Sequence, residues 1–250
     1  MNDKPEEIAD YYLFDLRNKI SSEFDEKNHY FNSVVKTDIG ILYNQMVWSI
    51  FTNEKVNSSQ MLEMIALFNK ALDYICSSYI LLRHGSYTES LTLLRASVEN
   101  ICVGINIGLE NSVFNQYMRS DLGCFTATKS VSYANKHIKF IGVIWSAFSK
   151  IAVHPNKQVH GSKPKNGRDF VEIGGRETSE YQDEVTLISI SLVTSLLLRA
   201  IEITLFEPIE GDVESLRIPG TNKIRKAVAL DLIEDRLSAL ESIFDEERQQ

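Results

Sequence analysis

The stretch Ser59–Leu109, SQMLEMIALFNKALDYICSSYILLRHGSYTESLTLLRASVENICVGINIGL, decides the fold. Met61, Met64/Ile65, Phe68, Leu72, Ile75, Tyr79 and Leu82 recur at steps of three and four, which lays one apolar stripe along a helix predicted from about Ser59 to Arg83. Gly85 stops it, because the left-handed residue that closes a helix is unstrained only for glycine. Ser86-Tyr87-Thr88-Glu89 then has the form of a capping box, in which Ser86 bonds the third helical amide and Glu89 reaches back to the Ser86 amide. A glycine stop followed at once by a capped start predicts a short-loop antiparallel helix pair. The second arm, about Tyr87 to Leu109, is apolar on nearly every side, with Leu91, Leu93, Leu94, Val98, Ile101, Val103, Ile105 and Ile107. It is the expected central helix.

Outward from this hairpin, helices are expected from about Glu6 to Glu26, Phe31 to Phe51, Val113 to Asn135, and Lys139 to Val153. Pro155 disfavours helical geometry at His154 and ends the last of these. Gly161, Pro164, Gly167, Gly174 and Gly175 make 155–178 a long loop, with a short strand or hairpin at Asp169–Ile173. A second capping box, Ser179-Glu180-Tyr181-Gln182, opens a helix to about Phe206, before Pro208. The final helix, Asn222 to Glu246, is expected to bury Ile224, Val228, Ile233, Leu237, Leu240 and Phe244 and to leave Glu234, Asp235, Arg236 and Glu241 wet. The fold class is therefore all-α: a bundle of six to eight helices built on a central antiparallel hairpin, with one long loop around 155–178. One domain is expected over 1–250, a helical segment 1–57 packing on a bundle core 58–246, because no Pro-rich or Ser/Gly-rich stretch reads as a linker.

Composition narrows the class. Of 250 residues 44% are apolar and 24% charged, which excludes disordered, collagenous and disulfide-stapled chains. Cys76, Cys102 and Cys124 are an odd number inside apolar patterns without C-x-x-C spacing, and read as buried thiols of a reducing cytoplasm. The polar start Met1–Glu7 lacks the apolar run of a signal peptide. Val185–Leu198 carries no charge, yet a bilayer needs about 20 such residues, so this run is expected to be a buried core helix and no membrane association is expected.

The formal charge of −8 conceals an uneven distribution. From Leu122 to Arg168 there is not one Asp or Glu, while Lys129, Lys136, Lys139, Lys150, Lys157, Lys163, Lys165 and Arg168 lie there with His137, His154 and His160. Eight of the 26 cations and none of the 34 acids fall in this segment, so the rest of the chain carries −16. Such a cationic cluster on an anionic body can bind phosphates, whereas in a purely structural role its lysines would solvate two helices and a loop.

Two further features carry candidate chemistry. Arg95 and Glu99, four apart on the most apolar helix, are expected to point into a poorly hydrated interior or to line a cavity, as a structural ion pair or as a pocket in which Arg95 holds a phosphate. Arg before Glu is the weaker order for a helical pair. Lys150 and His154 share a face at the mouth of the long loop, where His154 could serve as general base toward a ribose 2′-hydroxyl and Lys150 or Arg95 offset phosphate charge; the blander role is a helix cap. Lys157, His160, Lys163, Lys165 and Arg168 are the candidate ligand-binding residues. No P-loop, dinucleotide-binding, H-E-x-x-H or G-x-S-x-G motif occurs, and the five histidines show no ligand spacing, so neither a metal nor a cofactor is expected.

Leu82-Arg83-His84-Gly85-Ser86-Tyr87, Leu93-Leu94-Arg95-Ala96-Ser97-Val98-Glu99 and Ser149-Lys150-Ile151-Ala152-Val153-His154-Pro155 together resemble a group of uncharacterised bacterial helical proteins with an Arg-x-x-x-Glu helix and a later Ser-x-x-x-x-His-Pro/Gly element. More remotely, residues 59–205 resemble the HEPN superfamily of helical bundles, found among toxins, RNA-cutting defence proteins and nucleotide-binding modules. The resemblance implies a paired bundle that binds RNA or a nucleotide in phage defence or stress response and, if an enzyme, a metal-independent ribonuclease. The catalytic HEPN signature, Arg, four to six residues, then His, has no counterpart here, since three residues separate Lys150 from His154. The competing expectation is a non-catalytic helical interaction or dimerisation module.

Overall fold

In the computed structural model, Gly85 has φ 77 and closes helix α3 (Ser59–Arg83) in the left-handed conformation that only glycine adopts freely. The Gly85 amide bonds Leu82 O and the Ser86 amide bonds Leu81 O, the two bonds of a Schellman motif. Helix α4 (Tyr87–Leu109) starts immediately and runs back along α3, giving the expected hairpin. The expected capping box does not form: Ser86 makes no side-chain cap bond, and its amide, which Glu89 would have received, is already taken by Leu81 O. The side-chain cap is instead at the start of α3, where Ser58 Oγ accepts from the Met61 amide.

The structure describes residues 10, 14–53, 57–119, 126–152, 163–165, 168–170, 180–209, 212–218 and 221–249. Within them, α1 (Leu16–Lys27) and α2 (His29–Thr52) precede the hairpin. After it come α5 (Asn111–Met118), α6 (Ala127–Ala134), α7 (Ile141–Ala152), α8 (Glu180–Leu205) and α9 (Ala229–Gln249). The protein is an all-α bundle, with nine helices among the described residues rather than six to eight. The excess arises because Val113–Asn135 is not one helix: Arg119 is a turn and Thr126 is extended, so α5 and α6 are separate.

Helix α4 is the hub, packed against α3, α5, α6, α7 and α8, while α8 packs against α2, α3, α4 and α9. Phe68, Ile75 and Leu82 of α3, Leu94, Val98, Ile101 and Ile105 of α4, and Leu187, Val193, Leu197 and Ile201 of α8 join one core cluster that also takes Val35, Leu42 and Met46 of α2. At Gly104 and Gly108 the hairpin closes on α3 so tightly that a Cβ would overlap the Phe68 ring and the Met64 sulfur, respectively. Among the described residues two segments, Ser59–Arg83 and Tyr181–Leu205, are long and apolar enough to cross a bilayer; the most apolar window of the second is 89% buried within the bundle, the core helix its uncharged run predicts.

Among the described residues there are also five short strands, of which only one in the long loop was expected. In the expected long loop, β1 (Lys163–Lys165) and β2 (Arg168–Phe170) pair antiparallel, Lys165 opposite Arg168, so a hairpin forms whose second strand includes Asp169 and Phe170 of the expected stretch, while 171–173 lie outside the described residues. Between α8 and α9, β3 (Glu207–Ile209), β4 (Asp212–Arg217) and β5 (Ile224–Lys226) form an antiparallel sheet. Because β5 occupies 224–226, the final helix starts at Ala229 rather than Asn222, and Ile224 and Val228 are exposed rather than core. Arg236, expected wet, is largely buried in an ion pair with Asp38.

Candidate nucleic-acid interface

Arg95 and Glu99 lie along the seam between α4 and α7. Arg95 Nη2 is 3.1 Å from Glu99 Oε1, and the same oxygen accepts from Trp145 Nε1 at 2.9 Å. The guanidinium also stands over the Trp145 ring, 5.6 Å from its centroid. The pair is not in a dry interior, since the two side chains are 27% and 31% exposed. Their order is the weaker one for an isolated helix, but the indole donor on the facing helix fixes Glu99 and the ring holds Arg95. Arg95 Nε is buried without a hydrogen-bond partner, so the guanidinium retains donor capacity.

Lys150 does not join this cluster. It is exposed on α7 and stands five residues after Trp145, which at about 100° per residue puts it about 140° around the helix, on the face of Val143 and Ala147. His154, Lys157 and His160 lie outside the described residues. Lys163 and Lys165 are on β1 and Arg168 on β2, held in one hairpin by the register of the two strands. The structure thus brings Arg95, Glu99 and Trp145 together, separates Lys150 from them, and gathers three of the loop cations on a single ribbon.

Within the acid-free segment the described residues are those of α6, the following turn and α7, here the α6–α7 ridge, and those of the β1–β2 hairpin. Lys129, Lys136, His137 and Lys139 are exposed. Aromatic rings are interleaved with them: the Lys136 ammonium sits 4.8 Å from the Tyr133 ring centroid, and the His137 ring lies 5.5 Å from the same ring. Phe140, directly after Lys139, is 53% exposed. It also has φ 75, a backbone conformation that a bulky residue adopts only under constraint. The constraint is visible on both sides. Ile138 and Ile141 are buried anchors, the Ile138 amide bonds Ala134 O, and the Gly142 amide is tied back to Asn135 Oδ1 at 3.2 Å.

Sequence reasoning missed Trp145 and Phe140, and it missed three polar clusters elsewhere. Glu202, fully buried on α8, receives Arg199 Nη1 at 3.1 Å, Arg225 Nη2 at 2.7 Å and the backbone amide of Val228 at 3.0 Å at the start of α9. Burial holds the Arg225 guanidinium below its ordinary value, with Glu202 opposing that fall. Asp38 on α2 takes a forked bond from Arg236 on α9, with Ser191 of α8 bonded to both. This triad borders an apolar crevice of about 100 Å³ lined by Tyr30, Phe31, Leu187 and Ala239. Asp25 pairs with Arg83 across α1 and α3, and Asn32 links Asp25 to the Tyr79 hydroxyl. Each cluster ties together elements that are distant in sequence, and apart from Arg225 Nε, which is buried without a partner, its charged groups bond one another, so its evident work is architectural. The one sequence signal was an acid or base interrupting an apolar pattern, as Glu202 does.

Among the described residues no group of three or more His, Cys, Asp or Glu side chains could hold a metal ion. Cys76 and Cys102 are free thiols, and burial raises the pKa of each, which suppresses thiolate chemistry. Compared with known proteins, the chain matches no family model, no curated protein and no solved structure.

Proposed function

We propose that this bundle binds RNA, or the phosphates of a nucleotide, on the α6–α7 ridge. The observation that carries the reading is the segment 122–168, which contains eight Lys and Arg and no carboxylate and whose cations along α6, the following turn and α7, Lys129, Lys136, Lys139 and Lys150, are exposed. Phosphates are held there by charge, while the −16 of the remaining chain repels polyanions from the rest of the surface. The resemblance to HEPN bundles supports a place in bacterial defence or stress response inside the cell. Binding is the core of the reading and cleavage is not required by it, because Lys150 stands apart from the Arg95–Glu99–Trp145 cluster.

Fluorescence anisotropy with a labelled RNA oligonucleotide across a salt series tests this. Up to four lysine–phosphate contacts give a slope of log K against log salt of about −3 for a single strand. Lys136→Ala/Lys139→Ala flattens that slope, whereas no RNA or nucleotide binding at low salt defeats the proposal.

A second reading, a homodimerising or partner-docking module, rests on a different surface. On α2, Tyr43 and Phe51, about 80° apart around the helix, are 59% and 84% exposed, and no charge occurs from Ile39 to Asn53. Tyr43→Lys/Phe51→Glu converts a dimer to a monomer in sedimentation velocity if this face pairs; a wild type that is monomeric at high concentration removes the homodimer reading.

A further inference from the structure

We infer that Phe140 is a base-stacking platform, so the ligand of the α6–α7 ridge is a single-stranded nucleic acid with accessible bases, not a duplex and not a bare polyphosphate. The inference rests on the phosphate-binding reading above and adds to it what lies between the phosphates.

The backbone supplies the first step. Position 140 has φ 75, where glycine or asparagine is at ease and a β-carbon with an aromatic ring is not. The corner between α6 and α7 is fixed by its own bonds, the Gly142 amide to Asn135 Oδ1 and the Ile144 amide to Phe140 O, and by the buried anchors Ile138 and Ile141. The turn therefore forms without help from the Phe140 ring, and the ring makes it less stable. Strain kept at a residue whose side chain faces water marks a position held for contact with something else.

The surroundings supply the second step. The ring is 53% exposed and follows exposed Lys139, with exposed Lys136 one turn earlier. Val143, 68% exposed, extends the apolar spot onto the first turn of α7. An apolar patch alone would fit a protein partner, but here it lies in a segment with cations and no carboxylate, next to the Tyr133, Lys136 and His137 contact. Phosphates beside lysines with flat faces between them is the pattern that single strands match, since every base presents a π-face at the phosphate repeat. In a duplex the faces are already stacked on each other and unavailable to a surface ring.

The test uses the full chain and three probes: a short single-stranded RNA, the matching duplex, and inorganic polyphosphate. Stacking one base on an aromatic ring changes affinity by about 1–3 kcal/mol, so Phe140→Gly and Phe140→Leu raise the single-strand Kd about 5- to 150-fold while Phe140→Trp retains it. Phe140→Gly suits its backbone, and unchanged circular dichroism and melting cooperativity show that the fold persists. Duplex and polyphosphate bind more weakly than the single strand and are insensitive to Phe140. If Lys136→Ala/Lys139→Ala weakens single-strand binding while Phe140→Gly and Phe140→Leu do not, phosphate binding stands and the platform is overturned. If the wild type binds none of the three probes, the underlying reading fails as well.

Discussion

Removing the Glu202 carboxylate tests how α9 and the three-stranded sheet are fastened to the bundle. Glu202 is fully buried and accepts from Arg199, Arg225 and the first amides of α9, so Glu202→Ala strands two guanidinium groups and uncaps a helix. Breaking a buried ion pair from one side costs about 3–5 kcal/mol, and losing an N-terminal cap about 1. Arg199 and Arg225 are 12% and 16% exposed and can turn partly toward water, which offsets some of this. The expected loss is about 3 kcal/mol for Glu202→Ala. For Glu202→Gln, which keeps an oxygen for the Val228 amide but no charge for the arginines, it is about 2 kcal/mol. In a chain of this length 3 kcal/mol corresponds to a fall in Tm of about 6–12 °C. Urea unfolding followed by far-UV circular dichroism reads the loss as a lower midpoint at constant slope. Glu202→Leu/Arg199→Met/Arg225→Met, which replaces all three charges by apolar groups, recovers most of it. A Glu202→Ala loss under about 1 kcal/mol would refute the assignment of this carboxylate as the fastening point.

Two further expectations follow from the geometry. Gly104→Ala forces a methyl into the buried Phe68 ring and lowers stability by about 1–2 kcal/mol after the helix-propensity gain, whereas Gly108→Ala meets the more flexible Met64 thioether and changes it little; equal effects on the urea midpoint would contradict this packing. His84 is held below its ordinary pKa by burial first and then by Arg83 and Arg17, so the unfolded chain takes up its proton more readily. Its contribution is present above the unfolded pKa of about 6.5 and lost as pH falls from there toward the folded value. His84→Gln flattens the decline in urea midpoint between neutrality and about pH 5, and parallel wild-type and variant curves would rule that source out.

The hairpin and α8 were legible because their information is local: a 3.6-residue apolar period, a glycine that the structure places at φ 77, and an uncharged run of the kind a bundle buries at its core. The sheet between α8 and α9 was not, since Glu207–Ile209, Asp212–Arg217 and Ile224–Lys226 are short and rich in charge, and their pairing is set by neighbouring strands rather than by their own pattern. Arg236 was read as solvated because a helical projection knows nothing of Asp38, 198 residues earlier. The Ser86 capping box shows the converse limit: the letters are present, but the Schellman motif of the preceding helix takes the amide they need. At the candidate site, the missing acids were plain in the sequence, whereas the indole that grips Glu99 and the strained ring at Phe140 are visible only once α7 is placed.

The tie between Asp38 and Arg236 also orders events in time. A chain synthesised at about 5–20 residues per second makes Asp38 roughly 10–40 seconds before its counter-ion emerges. During that interval α2 and α8 can meet only by burying a carboxylate that the Ser191 hydroxyl bonds and no cation answers, which penalises premature closure. The nascent bundle is therefore held open on its α2 side until α9 arrives. A chain truncated before Arg236 leaves the Asp38 carboxylate without its counter-ion and is the form most exposed to holdases and proteases.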